Sequence, residues 1–502
     1  YQYPFAMIDE FQDTDAVQYQ IFSKVYVEPL RLEPTSDNGF IMIGDPKQAI
    51  YKFRGADIFT YFKAADEAQH RFNLGKNYRS HQDVVQCVNH LFDFHEQPPF
   101  LYNKIQFLPV ESKDDHPKFW LNGEMEPAVR FYVDEASVKE NMAKACAISI
   151  QHWLQSAVEN NADFRSDEKG VEKNLKPESI AVLVRSRKEA DLVKNELRRL
   201  GIASVFLSEN SNVFDSKAAK DLLLILRACL NPFSERNILN AVATAIFAQT
   251  AADIQRIRLD ENRWEYWVEK FIHYQKTWQK QGVLVMLHQL FLQEKITEKL
   301  YPTVDGKRLV TDLLHLAELL QEAATLNESE AALLRWFEKQ IQGEDRQTEQ
   351  QVRLESELQL VKIVTIHKSK GLEYDLVWLP FIGYAAKFRP EHISTYYDQD
   401  RDDVLWDIDG SHKKDIKQEN FAEQLRLLYV ALTRAKYQLN IGVPKTFEEK
   451  WSALLYVLTQ GAIQTDDSPT AYDSLPLLEK LVHDAPEGSI QISETTALKV
   501  LD

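Results

Sequence analysis

The chain has 502 residues, 44% of them apolar, which is enough for several domains with ordinary cores. A formal charge of −17 excludes a general nucleic-acid coat, because phosphate binding needs local positive surface; any DNA must lie in a confined groove lined by a minority of the Lys and Arg residues. No apolar run is long enough to span a bilayer, no charged-then-apolar leader opens the sequence, and Cys87, Cys146 and Cys229 are too scattered for a disulfide framework or a structural zinc site, so a cytosolic protein is expected.

In chain order, Phe5 to Ile8 and Phe40 to Ile43 are short apolar runs that each end in a polar cluster, the pattern of buried parallel strands with a site at their carboxyl ends. In the first cluster, Asp9-Glu-Phe-Gln-Asp-Thr, one carboxylate of the Asp9–Glu10 pair can face magnesium and the other a reacting water, as in a Walker B site. Two solvated charges at a strand end fit that pair equally well. The second cluster, Gly44-Asp-Pro-Lys-Gln-Ala-Ile-Tyr-Lys-Phe-Arg-Gly-Ala, sets Gln48 after a turn and places Tyr51, Phe53 and Arg54 in a segment suited to stacking and phosphate contact on a single strand. Core packing is the alternative for these rings, and Lys52 and Arg54 beside them weigh against it.

Ile58 to Ala68 and Gln82 to Phe94 carry helical patterns, with a strand or loop between them that holds Tyr78 and Arg79; such a pair can stack on a base and grip a phosphate, or simply pack on the surface. Pro98 to His116 is loop-like, Ala136 to Ala157 reads as a long amphipathic helix, and the polar, aperiodic stretch from Asn160 to Pro177 predicts a flexible surface loop. Ile180 to Val184, Arg185 to Leu200 and Ala203 to Leu207 then form a strand, helix, strand unit, with Gly201 closing the helix.

From Ser216 to about Glu355 the pattern is helical, over Ala218–Leu230, Ile238–Phe247, Val283–Leu292, Leu309–Leu320 and Ala331–Ile341, and Trp264, Trp267, Trp278 and Trp336 are expected as core anchors. The block reads as an insertion, since strand signals return at Val361–Ile366 and Leu376–Ile382. Between these two strands a polar loop offers His367 and Lys368 for a backbone phosphate and Glu373 for a ribose hydroxyl, although residues of this kind, taken singly, are more often solvated loop residues. Asp398 to Asp409 imitates a calcium loop but has Asp403 where glycine is required and Asp409 where glutamate is, so a hairpin or loop is expected. A helix from Glu419 to Lys436 carries Arg434 at the end of an apolar face; Tyr437 to Val443 and Glu449 to Leu458 read as a strand and a helix, and the remainder shows no motif.

Together these clusters resemble, in order, the motifs of the UvrD-type superfamily-one helicases: Asp9 to Thr14, Gly44 to Ala56, Asn77-Tyr-Arg-Ser, Thr365-Ile-His-Lys-Ser-Lys-Gly-Leu-Glu-Tyr, and Leu428-Tyr-Val-Ala-Leu-Thr-Arg-Ala. Finer wording, including Val377-Trp-Leu-Pro380 and Thr311 to Ala323, is similar to the branch of that family that works in helicase-nuclease complexes, with UvrD/Rep-type and AddA-type relatives and a non-catalytic DNA-binding module as alternatives. The resemblance implies an α/β fold of RecA-like P-loop NTPase domains, parallel sheets flanked by helices. Residues 1–75 would be the C-terminal part of the first motor domain and 76–212 with 356–460 the second; 213–355 would be a helical insertion of the 2B kind and 461–502 a linker or tail.

The same resemblance implies roles. Asp9 would hold magnesium, Glu10 would polarise the attacking water, Gln48 would sense the γ-phosphate, and Arg79 and Arg434 would neutralise charge on the transferred phosphoryl group. Tyr78 would stack on the adenine of ATP and Glu373 would meet its ribose. Tyr51 and Phe53, the latter standing where relatives usually have Trp, would stack on bases, with Arg54, His367 and Lys368 on the strand's backbone. It further implies single-stranded and duplex-end DNA as partners, companion subunits of the RecC and RecD kind, and a place in the bacterial cytoplasm near the nucleoid, in break repair and recombination. A phosphate loop needs Gly-x-x-x-x-Gly-Lys followed by Ser or Thr, and the sequence has none; the chain is therefore expected to open inside the first motor domain, to stop short of a nuclease domain, and not to hydrolyse ATP alone.

Overall fold

A computed structural model describes residues 3–32, 39–52, 56–94, 97–113, 116–166, 170–207, 213–303, 306–327, 329–343, 360–385, 394–398, 401, 403–448, 451–462 and 471–498. The chain divides into two compact units, residues 1–200 together with 361–502, and residues 201–360.

In the first unit the two apolar runs at the start become β1 (Phe5–Ile8) and β2 (Gly39–Met42), paired in parallel with Ile8 opposite Met42. Both strands therefore end on the same side, which puts Asp9 and Gly44 next to one another although 35 positions separate them in sequence. A larger parallel sheet is built from β3 (Val129–Asp134), β4 (Ile180–Val184), β5 (Val361–Thr365), β6 (Tyr374–Leu379), β7 (Ala435–Pro444) and β8 (Ile490–Glu494), in the spatial order β5-β4-β6-β7-β3-β8. All five residues of β4 are buried, as a strand covered on both faces requires. The helices Lys139–Val158 and Arg187–Arg199 belong to this unit; Ser186 caps the second by accepting from Glu189 N–H.

Three expectations need correction. The stretch from Asn160 to Pro177 holds strands Ala162–Ser166 and Gly170–Asn174, which pair antiparallel, and the first also pairs with Lys118–Leu121. Phe164 is buried against Phe119, and the pattern was masked because Asp163 is buried as well, compensated by Arg165, whose Nε and Nη2 donate to it at 2.5 and 2.8 Å. The C-terminal stretch supplies a helix, Ser474–Asp484, and β8, an edge strand too short to stand out by alternation. The helix expected over Glu419–Lys436 runs from Lys413 to Leu432, so Arg434 sits in the turn beyond its end. The acidic stretch near Asp398 is a hairpin, Ser394–Asp398 paired with Asp403–Asp407.

The second unit is helical over Lys217–Leu230, Glu235–Val242, Ala251–Leu259, Glu261–Gln281, Val283–Gln293, Gly306–Ala324 and Glu330–Gln342. Side chains of Ser216, Ser234, Thr250, Asp260 and Ser329 cap five of them. Gly282, at φ 91°, allows Glu261–Gln281 to end and Val283–Gln293 to begin within one residue. Leu222, Phe271, Leu287, Leu316 and Phe337 form its core; Trp267 and Trp278 are buried in it, and Trp264 and Trp336 pack against its edge.

Candidate functional site

At the end of β1 the chain turns sharply. Glu10 has φ 53°, a left-handed conformation rare for a residue with a side chain, held by Glu10 N–H donating to Asp9 Oδ1 at 2.8 Å and Phe11 N–H to the Ile43 carbonyl at 2.8 Å. Backbone strain of this kind is often stored at functional sites, although Leu101, Asn122 and Lys295 share it elsewhere in the chain. Gly44 stands opposite, where an added Cβ would lie 2.6 Å from Gln12 Oε1 and displace the glutamine side chain from its place. Buried Gln12 then links both strand ends: Oε1 accepts from Asp45 N–H at 3.0 Å and Nε2 donates to Glu10 Oε2 at 2.5 Å. Asp45 in turn accepts from Gln48 Nε2 at 3.0 Å and pairs with Lys47 at 2.8 Å. Gln48 and Glu10 are thus members of one hydrogen-bonded chain.

Asp9 is exposed and makes no ion pair among the described residues. An exposed carboxylate at a strand end, with an oxygen not committed to the backbone, fits a hydrated magnesium ion. The described residues include no cluster of three or more His, Cys, Asp or Glu able to hold a metal, so a bound ion would depend on Asp9 together with substrate phosphates.

Three cationic groups lie close together, and one of them, Arg434, is near enough to Glu10 to feel its charge. Arg79 Nε donates to Glu373 Oε2 at 2.9 Å, and Lys436 pairs with the other oxygen of the same carboxylate. Burial pushes the Glu373 carboxyl up, but Lys436 and then Arg79 outweigh it and hold the group below the usual glutamate value. Arg434 is 1% exposed: Nε donates to the Val430 carbonyl at 2.9 Å, Nη1 to the Leu372 carbonyl at 3.1 Å and Nη2 to Thr433 Oγ1 at 3.1 Å. Burial and the neighbouring Arg79 bring its pKa down to about 10, partly offset by Tyr429 and Glu10, so it stays cationic at neutral pH. Those three bonds leave guanidinium N–H groups for an anion. Asn77 Oδ1 accepts from Arg79 and Ser80 N–H, Ser80 Oγ donates to the Ala435 carbonyl, and Tyr78 beside them is 67% exposed, its ring open to stacking.

On the other side of this region Tyr51 Oη donates to the His367 carbonyl at 2.8 Å, with the two rings 6.3 Å apart. His367 and Lys368 are half-buried. The Lys413–Leu432 helix holds the Tyr51 segment in place: Arg426 Nε donates to the Ala49 carbonyl at 2.7 Å and Glu419 pairs with Lys52 at 2.5 Å. Phe53 and Arg54 lie outside the described residues.

Sequence reasoning passed over Lys370, whose side chain is 4% exposed and whose ammonium is 2.5 Å from Asp13 and 3.2 Å from Glu10. It also passed over Arg426, Glu419 and Lys436. The i, i+4, i+7 spacing of Glu419, Glu423 and Arg426 on one helix was a readable signal; a charged stripe alone normally reads as a solvated face.

Against known proteins, the pattern of the UvrD/REP helicase N-terminal domain matches residues 1–69 and that of the UvrD-like helicase C-terminal domain matches residues 72–446. The chain is 60% identical over 466 residues to the RecBCD enzyme subunit RecB of Haemophilus influenzae, covering 92% of this chain and 38% of that protein. It is 41% identical over 453 residues to the Escherichia coli RecB subunit, covering 88% and 37%, and 29% identical over 462 residues to that of Mycobacterium tuberculosis, covering 88% and 40%. The chain therefore spans under half the length of these relatives. With the second pattern covering most of its length, and with both motif sets in order, the chain belongs to the UvrD-like helicases.

Proposed function

We propose that this chain forms the nucleotide cleft and strand grip of a RecB-type, ATP-dependent DNA translocase, a motor that works with RecC-like and RecD-like subunits on single-stranded and duplex-end DNA in double-strand break repair and recombination. The observation that carries this reading is that Glu10, Gln48, Arg79, Glu373 and Arg434, drawn from five separate stretches, lie in one unit with Tyr51 and His367.

In this mechanism Asp9 would hold magnesium, which would supply positive charge beside the triphosphate. Glu10, fixed by Gln12, orients and polarises the attacking water. Arg79 and Arg434 meet the charge that develops on the transferred phosphoryl group, and Gln48, tied to Asp45, senses its presence. Tyr78 stacks on the base and Glu373 holds the ribose. Tyr51, with Phe53 and Arg54, and His367 with Lys368 grip successive nucleotides of one strand. Alternation between gripping and release as the cleft closes and opens gives directed movement. A bacterial cytoplasmic location, near the nucleoid, follows from this role.

The 502-residue sequence holds no Gly-x-x-x-x-Gly-Lys phosphate loop, and positioning catalysis on a triphosphate depends on such a cradle. Steady-state ATPase assays with single-stranded DNA test both statements. The longest natural polypeptide that carries this sequence is expected to turn over ATP in a strand-dependent manner, and the 502-residue chain alone to stay at background. Strand binding without turnover in the natural polypeptide would replace the motor with a non-catalytic DNA-binding module.

A further inference from the structure

Lys370 has no role in the mechanism above, yet its ammonium stands between the two halves of the site. It lies 2.5 Å from Asp13 Oδ2, 3.2 Å from Glu10 Oε2 and 5.2 Å from the centroid of the Tyr51 ring. Tyr51 Oη donates to the carbonyl of His367, three residues before Lys370 on the same loop. That loop is stiff. Ser369 is fully buried, its N–H donates to the Thr365 and Ile366 carbonyls, its Oγ donates to the Ile366 carbonyl at 2.7 Å, and Leu372 N–H donates back to the Ser369 carbonyl. A shift of the Tyr51 ring, which also touches the lysine, therefore passes to Lys370 instead of being absorbed by the backbone.

The other end of the linkage is equally constrained. A buried ammonium must keep its carboxylate partners, because an uncompensated charge in that position is strongly unfavourable. Lys370 is held by both carboxylates, Asp13 the nearer and Glu10 the more exposed, so a displacement of the ammonium that keeps Asp13 alters its contact with Glu10. The Glu10 oxygen it approaches, Oε2, is the one that accepts from Gln12. Resting on the function proposed above, we infer that Lys370 is the positioning residue through which a strand stacked on Tyr51 sets the orientation of Glu10, so that ATP turnover depends on the strand.

The test is the ratio of kcat with saturating oligonucleotide to kcat without it, measured in the longest natural polypeptide assembled with its companion subunits. Lys370→Gln is expected to lower that ratio about tenfold, and Asp13→Asn, which keeps shape and removes one carboxylate, to lower it about threefold. Lys370→Arg, which keeps the charge, is expected to restore most of it. Melting curves establish whether each variant folds, and Asp13→Asn decides the question if Lys370→Gln does not. A ratio within about twofold of the unsubstituted protein in a folded variant overturns the inference, including the case in which both rates fall together as for a purely structural ion pair. An unsubstituted protein with no strand-dependent turnover would instead overturn the proposed function.

Discussion

The two units bury apolar surface in similar fashion and differ in where their charges find partners. In the helical unit, buried Glu294 is held by Lys270 and by Lys299 at 3.1 Å, and Arg308 reaches Asp312 one turn along the same helix. Even the Arg227–Glu338 pair joins two helices at a partly exposed surface. In the first unit, beside local pairs such as Arg165–Asp163, three pairs around the candidate site join stretches hundreds of residues apart: Glu10 with Lys370, Arg79 with Glu373, Lys52 with Glu419. Charges that only brace neighbouring helices can be exchanged for packing, whereas charges drawn from distant stretches to one place are the arrangement in which functional sites are commonly found.

Arg434 gives the largest expected break in that contrast. Its substitution by Lys should lower ATP turnover of the natural polypeptide by roughly a thousandfold or more in single-turnover assays, because a lysine cannot serve three protein acceptors and an anion together. Turnover within about tenfold of normal would reduce Arg434 to a packing residue and erase the difference between the units. In the helical unit the counterpart is Phe271, fully buried. Phe271→Ala is expected to cost about 3–5 kcal/mol in urea unfolding. Per folded molecule, ATP turnover should be unchanged; a fall in turnover would show that this unit does more than pack.

Much of the fold was legible because its signals are local. Ile180–Val184 is a continuous apolar run and appears as a buried central strand, and Asp9 and Gln48 follow runs that do form paired strands. The Asn160–Pro177 strands were not legible, because buried Asp163 is neutralised by Arg165, two residues on, and reads as surface. For the candidate site, residue types and order carried the reading of Glu10, Arg79 and Arg434. What the sequence could not yield was Lys370 as a shared partner of Glu10 and Asp13, since nothing in a run of His-Lys-Ser-Lys says which lysine turns inward. Burial decides that, and burial is a property of the assembled sheet.

The smallest effect belongs to Glu373, where the same kind of long-range pairing is partly open to water. Its carboxyl is raised by burial but lowered further by Lys436 and Arg79, leaving it below the ordinary value of 4.5. A depressed carboxylate contributes stability that is fully present above that value and is lost as pH falls through the folded one. Solvent screening at a side chain 40% exposed limits the contribution to under about 1 kcal/mol. Glu373→Gln should therefore lower the urea midpoint slightly at neutral pH, and the gap between variant and parent should close as the pH is taken down through the acid range. A gap that persisted unchanged at low pH would show that Glu373 acts by shape and not by charge; Arg79 and Lys436 would then need no carboxylate to lie side by side.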